Sequence, residues 1–170
     1  LGSAENAPYV TVKTEKDDGK EQVSEVKWTE YLAGILAKEM PGGYEMEALK
    51  AQTVLIRTSL YRELEKSEDK VLSENYMSMS EMETIWGKEE FEEYYGNYLD
   101  AVEATDDMVL CYDETYAWTP FHQSSAGMTR SAEEVTGNSD YPYLKVKECP
   151  LDKEAEDEIH SYTFSYEEIQ

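Results

Sequence analysis

The chain has 170 residues, with 15 Lys+Arg against 38 Asp+Glu, a formal net charge of −23. Hydrophobic residues make up 40% and aromatics 12%, with 14 Tyr. That composition is a folded one, because acidic chains that stay disordered are poor in aromatics. The negative field excludes nucleic acid and anionic bilayers as natural partners. No apolar run approaches the roughly 20 residues that span a membrane.

The chain opens Leu1-Gly2-Ser3 without a Met, a basic stretch or an apolar leader. Residues 1–7 read as a cloning scar and linker, and 8–170 as a single domain. Tyr9 to Val12 alternates and predicts a strand within Pro8–Lys13. The charged stretch 14–21, with Gly19, predicts a turn. Thr29–Met40 predicts a helix stopped by Pro41-Gly42-Gly43, and Glu45–Lys66 a second, longer one. Leu72–Gly87 has poor periodicity and is expected to be irregular and partly buried; Glu89–Glu103 predicts a third helix. Met108–Tyr112 and Thr115–Phe121 read as strands joined across Asp113-Glu114. Ser131–Val135 is expected to form one helical turn, and Tyr143–Lys147 and Ile159–Ser165 to form strands. Ser165-Tyr166-Glu167-Glu168 has capping-box spacing, consistent either with a parent trimmed at its C-terminus or with a frayed last turn. Helices first and strands later predict an α+β fold, with an N-terminal helical pair packed on a mainly antiparallel sheet from the C-terminal half.

Cys111 and Cys149 make no disulfide scaffold; a single bridge and two separate thiols are both compatible with the spacing. The histidines are His122 and His160, and neither joins a cysteine cluster of zinc spacing. No metal and no cofactor is expected.

The first helix carries an anomaly. Its apolar stripe is Leu32, Ile35 and Leu36, and the next position on the stripe is Glu39. A carboxyl on a buried face, in the negative last turn of a helix, has its pKa raised by both circumstances. A carboxyl kept protonated near neutral pH suits a general acid. The plainer alternative is that Glu39 leaves the helix end for solvent or a cation. On the second helix Gln52 and Arg57 flank the stripe Leu49, Thr53, Ile56, Leu60, Leu64. Arg57 either orients an anionic group or pairs on the helix surface with a neighbour such as Glu63. The loop Phe121–Thr129 is small and polar, of the kind that shapes sites. His122 with Ser124 or Ser125 gives no evidence of nucleophile–base geometry, and no G-x-S-x-G elbow is present. Carboxylate pairs are too frequent here to identify a two-carboxylate glycosidase. The acidic stretch Glu148–Glu158 reads as a solvated face without EF-hand spacing.

Three blocks occur in a recognisable order: Glu30–Pro41 (EYLAGILAKEMP) continuing through Glu47–Gln52 (EALKAQ) to Arg57-Thr58; Phe121–Thr129 (FHQSSAGMT); and Tyr141–Val146 (YPYLKV). Together they resemble the SpoIID/LytB family of bacterial cell-wall proteins over about residues 25–152. The resemblance implies a lytic transglycosylase that cleaves the MurNAc–GlcNAc bonds of denuded glycan strands, those freed of stem peptides, leaving 1,6-anhydroMurNAc ends. It implies Glu39 as the catalytic acid, Arg57, Tyr143 and Lys145 at functional positions, and Gln52, His122, Ser124 and Ser125 as substrate-binding neighbours. The LytB side of the family implies an alternative, a non-catalytic glycan-binding or amidase-enhancer module with a cell-wall amidase as partner. Either role implies an extracytoplasmic location at the cell envelope. The sequence departs from the family pattern at Gln123 and Ala126 in the second block, at Ser59-Leu60 after Arg57-Thr58, and at Leu151 in Pro150-Leu151-Asp152.

Overall fold

The structure, a computed structural model, describes residues 9–15, 19–121 and 128–149. The described chain divides into two compact units between Thr119 and Pro120.

In the first unit a hairpin pairs β1 (Tyr9–Glu15) with β2 (Glu21–Lys27) antiparallel, in the register Tyr9↔Lys27 to Glu15↔Glu21. A two-residue strand β3 (Val71–Leu72) adds parallel to β1, giving the order β2-β1-β3. Val10 and Val12 alternate into the core, as the period of two requires. β2 was not anticipated. It is an edge strand whose Val23 is exposed, so it shows little apolar alternation, and its backbone pairing with β1 defines it. Of the turn predicted over 14–21, Thr14 and Glu15 belong to β1 and Glu21 to β2.

The first two helices contact this sheet, and the third packs on both of them. α1 (Trp28–Glu39) is buried at every position from Tyr31 to Ala37. It is a central helix rather than one with a single apolar stripe, because Ala33, Gly34 and Ala37 admit neighbours on its remaining faces. Gly34 is the tightest of these approaches. A Cβ there would lie 2.6 Å from the Met77 carbonyl oxygen and 2.8 Å from the Tyr76 ring. The segment 73–78 therefore runs directly over α1, where Met77 N–H donates to the Gly34 carbonyl (3.0 Å) and Tyr31 O–H to that of Glu74 (2.9 Å). α2 (Met46–Lys66) follows the Pro41-Gly42-Gly43 turn and packs on α1 and α3.

α3 (Met79–Ala104) begins well before the predicted third helix. Its first third, to Gly87, falls within the stretch expected to be irregular. Ser78 and Glu81 form a reciprocal capping box that starts it. Gly87, at φ 77° and ψ 171°, then breaks the helical path, which is why a single period does not run through the sequence.

The strands expected over 108–112 and 115–121 reduce to β4 (Cys111–Tyr112) and β5 (Thr115–Tyr116), joined by Asp113 and Glu114 at positive φ, as a tight hairpin turn demands. In the second unit Ser131 and Glu134 cap a short α4 (Ala132–Thr136). Tyr143–Lys147 forms no strand; its contact with 128–132 consists of a Met128↔Glu148 bridge and hydrogen bonds of Thr129 with Lys147 and of Ala132 N–H with the Leu144 carbonyl. The protein is thus mixed α and β, but its three-stranded sheet is N-terminal, and the predicted C-terminal sheet under a helical pair is corrected. The two N-terminal helices form as expected, but of the expected strands only that within Pro8–Lys13 persists at length, and β2 and β3 supply the rest of the sheet. The expectations for residues 1–8, 159–165 and 165–168 lie outside the described residues.

Candidate functional site

Glu39 is the last residue of α1 and is half-buried. Gln52, one turn and a half into α2 and only 5% exposed, donates its Nε2–H to Glu39 Oε2 at 2.6 Å. The pairing follows from the Pro-Gly turn, which folds the start of α2 back beside the end of α1. Burial pushes the Glu39 carboxyl above its ordinary range, the Gln52 N–H pulls it partly back, and the charge of Glu74 pushes it up again. The expectation of a carboxyl raised by its surroundings is met in direction, and Glu74, which sequence reasoning missed, adds like-charge repulsion. Glu63 is likewise raised by burial and by Glu74, with the Ser73 N–H opposing.

The turn after Glu39 is held from α3. Tyr98, fully buried, accepts a hydrogen bond from Gly42 N–H (3.0 Å) and donates to the Met40 carbonyl (2.8 Å), with the Gly42 carbonyl at 3.2 Å. Its position on the inner face of a Tyr-rich helix was the available signal, since a buried tyrosine needs a partner for its hydroxyl.

Arg57 has a different task from the one expected. It is 1% exposed, and its guanidinium donates to the carbonyls of Thr105 (2.6 Å), Met108 (3.1 Å) and Val102 (3.2 Å). These lie at and just beyond the C-terminus of α3, where carbonyls lack helical partners and carry the negative end of the dipole. Its neighbour Thr58 accepts from Leu110 N–H at 2.9 Å. Arg57-Thr58 therefore fastens the chain leaving α3. With the guanidinium enclosed, Arg57 has no face to offer a substrate anion, and it does not pair with Glu63 on the surface.

Gln52 and Glu39 are thus brought together, while Arg57 is turned to the far end of α3. In the second unit Lys145 is exposed, and Tyr143 is half-buried with its ring edge-on to Tyr141 (centroids 6.2 Å, 80°). His122, Ser124 and Ser125 lie outside the described residues. Cys111 and Cys149 are free thiols. An open cleft of about 360 Å³ is lined by Lys38, Tyr76, Met77, Ser80, Glu81, Thr84 and Ile85, and neither Glu39 nor Gln52 lines it. The carboxyl in that cleft, Glu81, is held below its ordinary range by hydrogen bonds from Ser78, so the raised Glu39 beside Gln52 is the stronger candidate for a proton donor.

A raised carboxyl at the end of a buried helix, held by an amide from the next helix, is the candidate site on this mixed α and β scaffold. Comparison with known proteins gives the chain a family. The family model "SpoIID: Stage II sporulation protein" matches residues 16–112, more than half of the chain and the stretch that carries Glu39, Gln52, Arg57 and Tyr98. The chain belongs to the SpoIID family. It is 30% identical over 161 residues to Stage II sporulation protein D of Bacillus subtilis (strain 168), covering 88% of this chain and 46% of that protein. The protein of the same name from Bacillus amyloliquefaciens is also 30% identical, over 159 residues, covering 87% of this chain and 46% of the relative. An amidase enhancer of B. subtilis is 31% identical over 126 residues, 71% of this chain but 15% of the enhancer. The chain spans about half the length of the sporulation proteins it matches.

Proposed function

We propose that this domain acts in the bacterial cell wall as a lytic transglycosylase, cleaving MurNAc–GlcNAc bonds in glycan strands without stem peptides. The observation that carries the reading is the half-buried, raised carboxyl of Glu39 held by Gln52. Protonated Glu39 gives its proton to the glycosidic oxygen as the C1–O bond breaks. The carboxylate then takes the proton of the MurNAc C6 hydroxyl while that oxygen bonds to C1, closing the 1,6-anhydro ring. One group serves as acid and then base, and no water is consumed. Gln52 holds the carboxyl through both steps, and its N–H bond strengthens as negative charge returns to Glu39. By the family resemblance Tyr143 and Lys145 contact the sugar and its lactyl carboxylate, and His122, Ser124 and Ser125 belong to the substrate loop. Arg57 is left out of that set, because its side chain is buried and its guanidinium is turned to the carbonyls of Val102, Thr105 and Met108. A wall substrate places the domain outside the cytoplasm. Among the described residues no helix is long and apolar enough to cross a membrane.

Mass spectrometry of denuded glycan strands incubated with the protein and with Glu39→Gln tests the reading. Anhydro-ended fragments from the wild type alone are expected. Absence of fragments from both, with glycan binding retained, overturns it in favour of the second reading. That reading is a non-catalytic glycan-binding module that assists a wall amidase, and the likeness to an amidase enhancer favours it. In that case Glu39→Gln leaves amidase stimulation unchanged.

A further inference from the structure

The turn that follows Glu39 has little means of holding itself. Met40 N–H completes the last helical bond, to the Leu36 carbonyl at 2.8 Å. Pro41 then has no N–H to give. Gly42 turns the chain at φ 98°, a conformation that side-chain-bearing residues rarely adopt. The Met40 carbonyl and the Gly42 N–H are both met by the Tyr98 hydroxyl, at 2.8 and 3.0 Å. Tyr98 is itself immobilised. It is fully buried in α3, beside Trp86 (centroids 6.2 Å), whose ring meets Tyr94 edge-on at 5.4 Å. The end of α1 is thus tied from two helices. Gln52 of α2 holds the Glu39 carboxyl, and Tyr98 of α3 holds the backbone one residue beyond it.

We infer that Tyr98 is a positioning residue for Glu39: by fastening the Met40–Gly42 turn to α3, its hydroxyl fixes where the acid's carboxyl stands against Gln52. This rests on the proposed reading of Glu39 as the acid, but not on Tyr98 touching substrate. A rigid support matters because small misplacements of a catalytic group cost up to about 10²-fold in rate. Without the hydroxyl, the turn takes its hydrogen bonds from water and Glu39 becomes better hydrated.

The test compares the wild type with Tyr98→Phe, which keeps the ring, and with Thr58→Val. The latter removes a buried hydroxyl of the same unit that serves Leu110 rather than the turn. Cleavage of denuded glycan strands is followed well below each protein's melting temperature, and the Glu39 carboxyl is titrated by carbon-13 NMR without substrate. For Tyr98→Phe the expected result is a kcat about ten-fold or more below wild type with KM little changed. The Glu39 pKa should move down, because rehydration removes the larger, raising influence and outweighs any weakening of the Gln52 bond, which acts the other way. Thr58→Val should lower melting temperature without either change. Gly42→Ala loosens the same turn through φ alone, since a Cβ there meets nothing within 4 Å, and should reproduce the Tyr98→Phe result. It carries the test if Tyr98→Phe does not fold. An active wild type with unchanged kcat and Glu39 titration in these turn variants overturns the inference, as does a Thr58→Val that behaves as they do. A wild type that cleaves nothing counts against the proposed function instead, and the NMR titration then decides the role of Tyr98 alone.

Discussion

Two buried polar side chains on α2, Gln52 and Arg57, stand little more than a turn apart and do opposite things. Gln52 reaches back to the half-exposed carboxyl of Glu39, a group that can gain and lose a proton. Arg57 reaches to the carbonyls of Val102, Thr105 and Met108, which cannot. Both side chains are almost fully buried. What separates a candidate site from a structural fastening is the partner: a titratable group at the edge of solvent in one case, helix-end carbonyls in the other. The motif that places both residues within six positions does not make both of them ligand groups.

The strongest way to break the comparison is at Glu39. Glu39→Gln should reduce glycan cleavage by about 10²–10⁴-fold, the range of a lost general acid, while Gln52 keeps an amide partner and circular dichroism is unchanged. Comparable cleavage by this variant would remove the distinction between Gln52 and Arg57.

Arg57→Ala should act on stability instead. It leaves the buried carbonyls of Val102 and Thr105, and the part-buried one of Met108, without their donor, and a cost of about 2–4 kcal/mol in urea unfolding is expected from the lost charged hydrogen bonds and the cavity. Arg57→Lys should recover only part, since an ammonium cannot reproduce the planar fork that serves three carbonyls. A fully stable Arg57→Ala that has lost only substrate affinity would restore Arg57 as a ligand residue.

Gly34→Ala tests the segment that brings Glu74 over α1. The added methyl meets the Met77 carbonyl at 2.6 Å, and overpacking of this kind costs about 1–3 kcal/mol. Thermal unfolding measures it.

The smallest effects concern charge. Glu39 and Glu63 both have carboxyls raised in the folded protein, so the fold prefers them protonated. Their contribution to stability is present in full below the ordinary carboxyl range and is lost as pH rises through the raised values. Glu63→Gln should therefore gain a few tenths of a kcal/mol at neutral pH and nothing at low pH, given its partial exposure. Gln52→Leu removes the hydrogen bond that lowers the Glu39 pKa, so Glu39 should titrate still higher. A titration moving down would show that the amide is not what stabilises the carboxylate.

The sequence by itself determined the two N-terminal helices, the Pro-Gly stop between them, and Glu39 as a carboxyl out of place on an apolar face. Those features depend on neighbours within a turn or two, where side-chain period and backbone preference act directly. It did not reveal β2, whose exposed edge leaves no alternating pattern, or the full length of α3, whose period is interrupted at Gly87. Only the tertiary structure decided which buried polar groups meet. Gln52 joins Glu39 across 13 residues, Arg57 joins Thr105 across 48, and Tyr98 joins Met40 across 58. Such pairs are selected by the need to satisfy every buried donor and acceptor once the helices have packed, and a linear pattern carries no record of that packing.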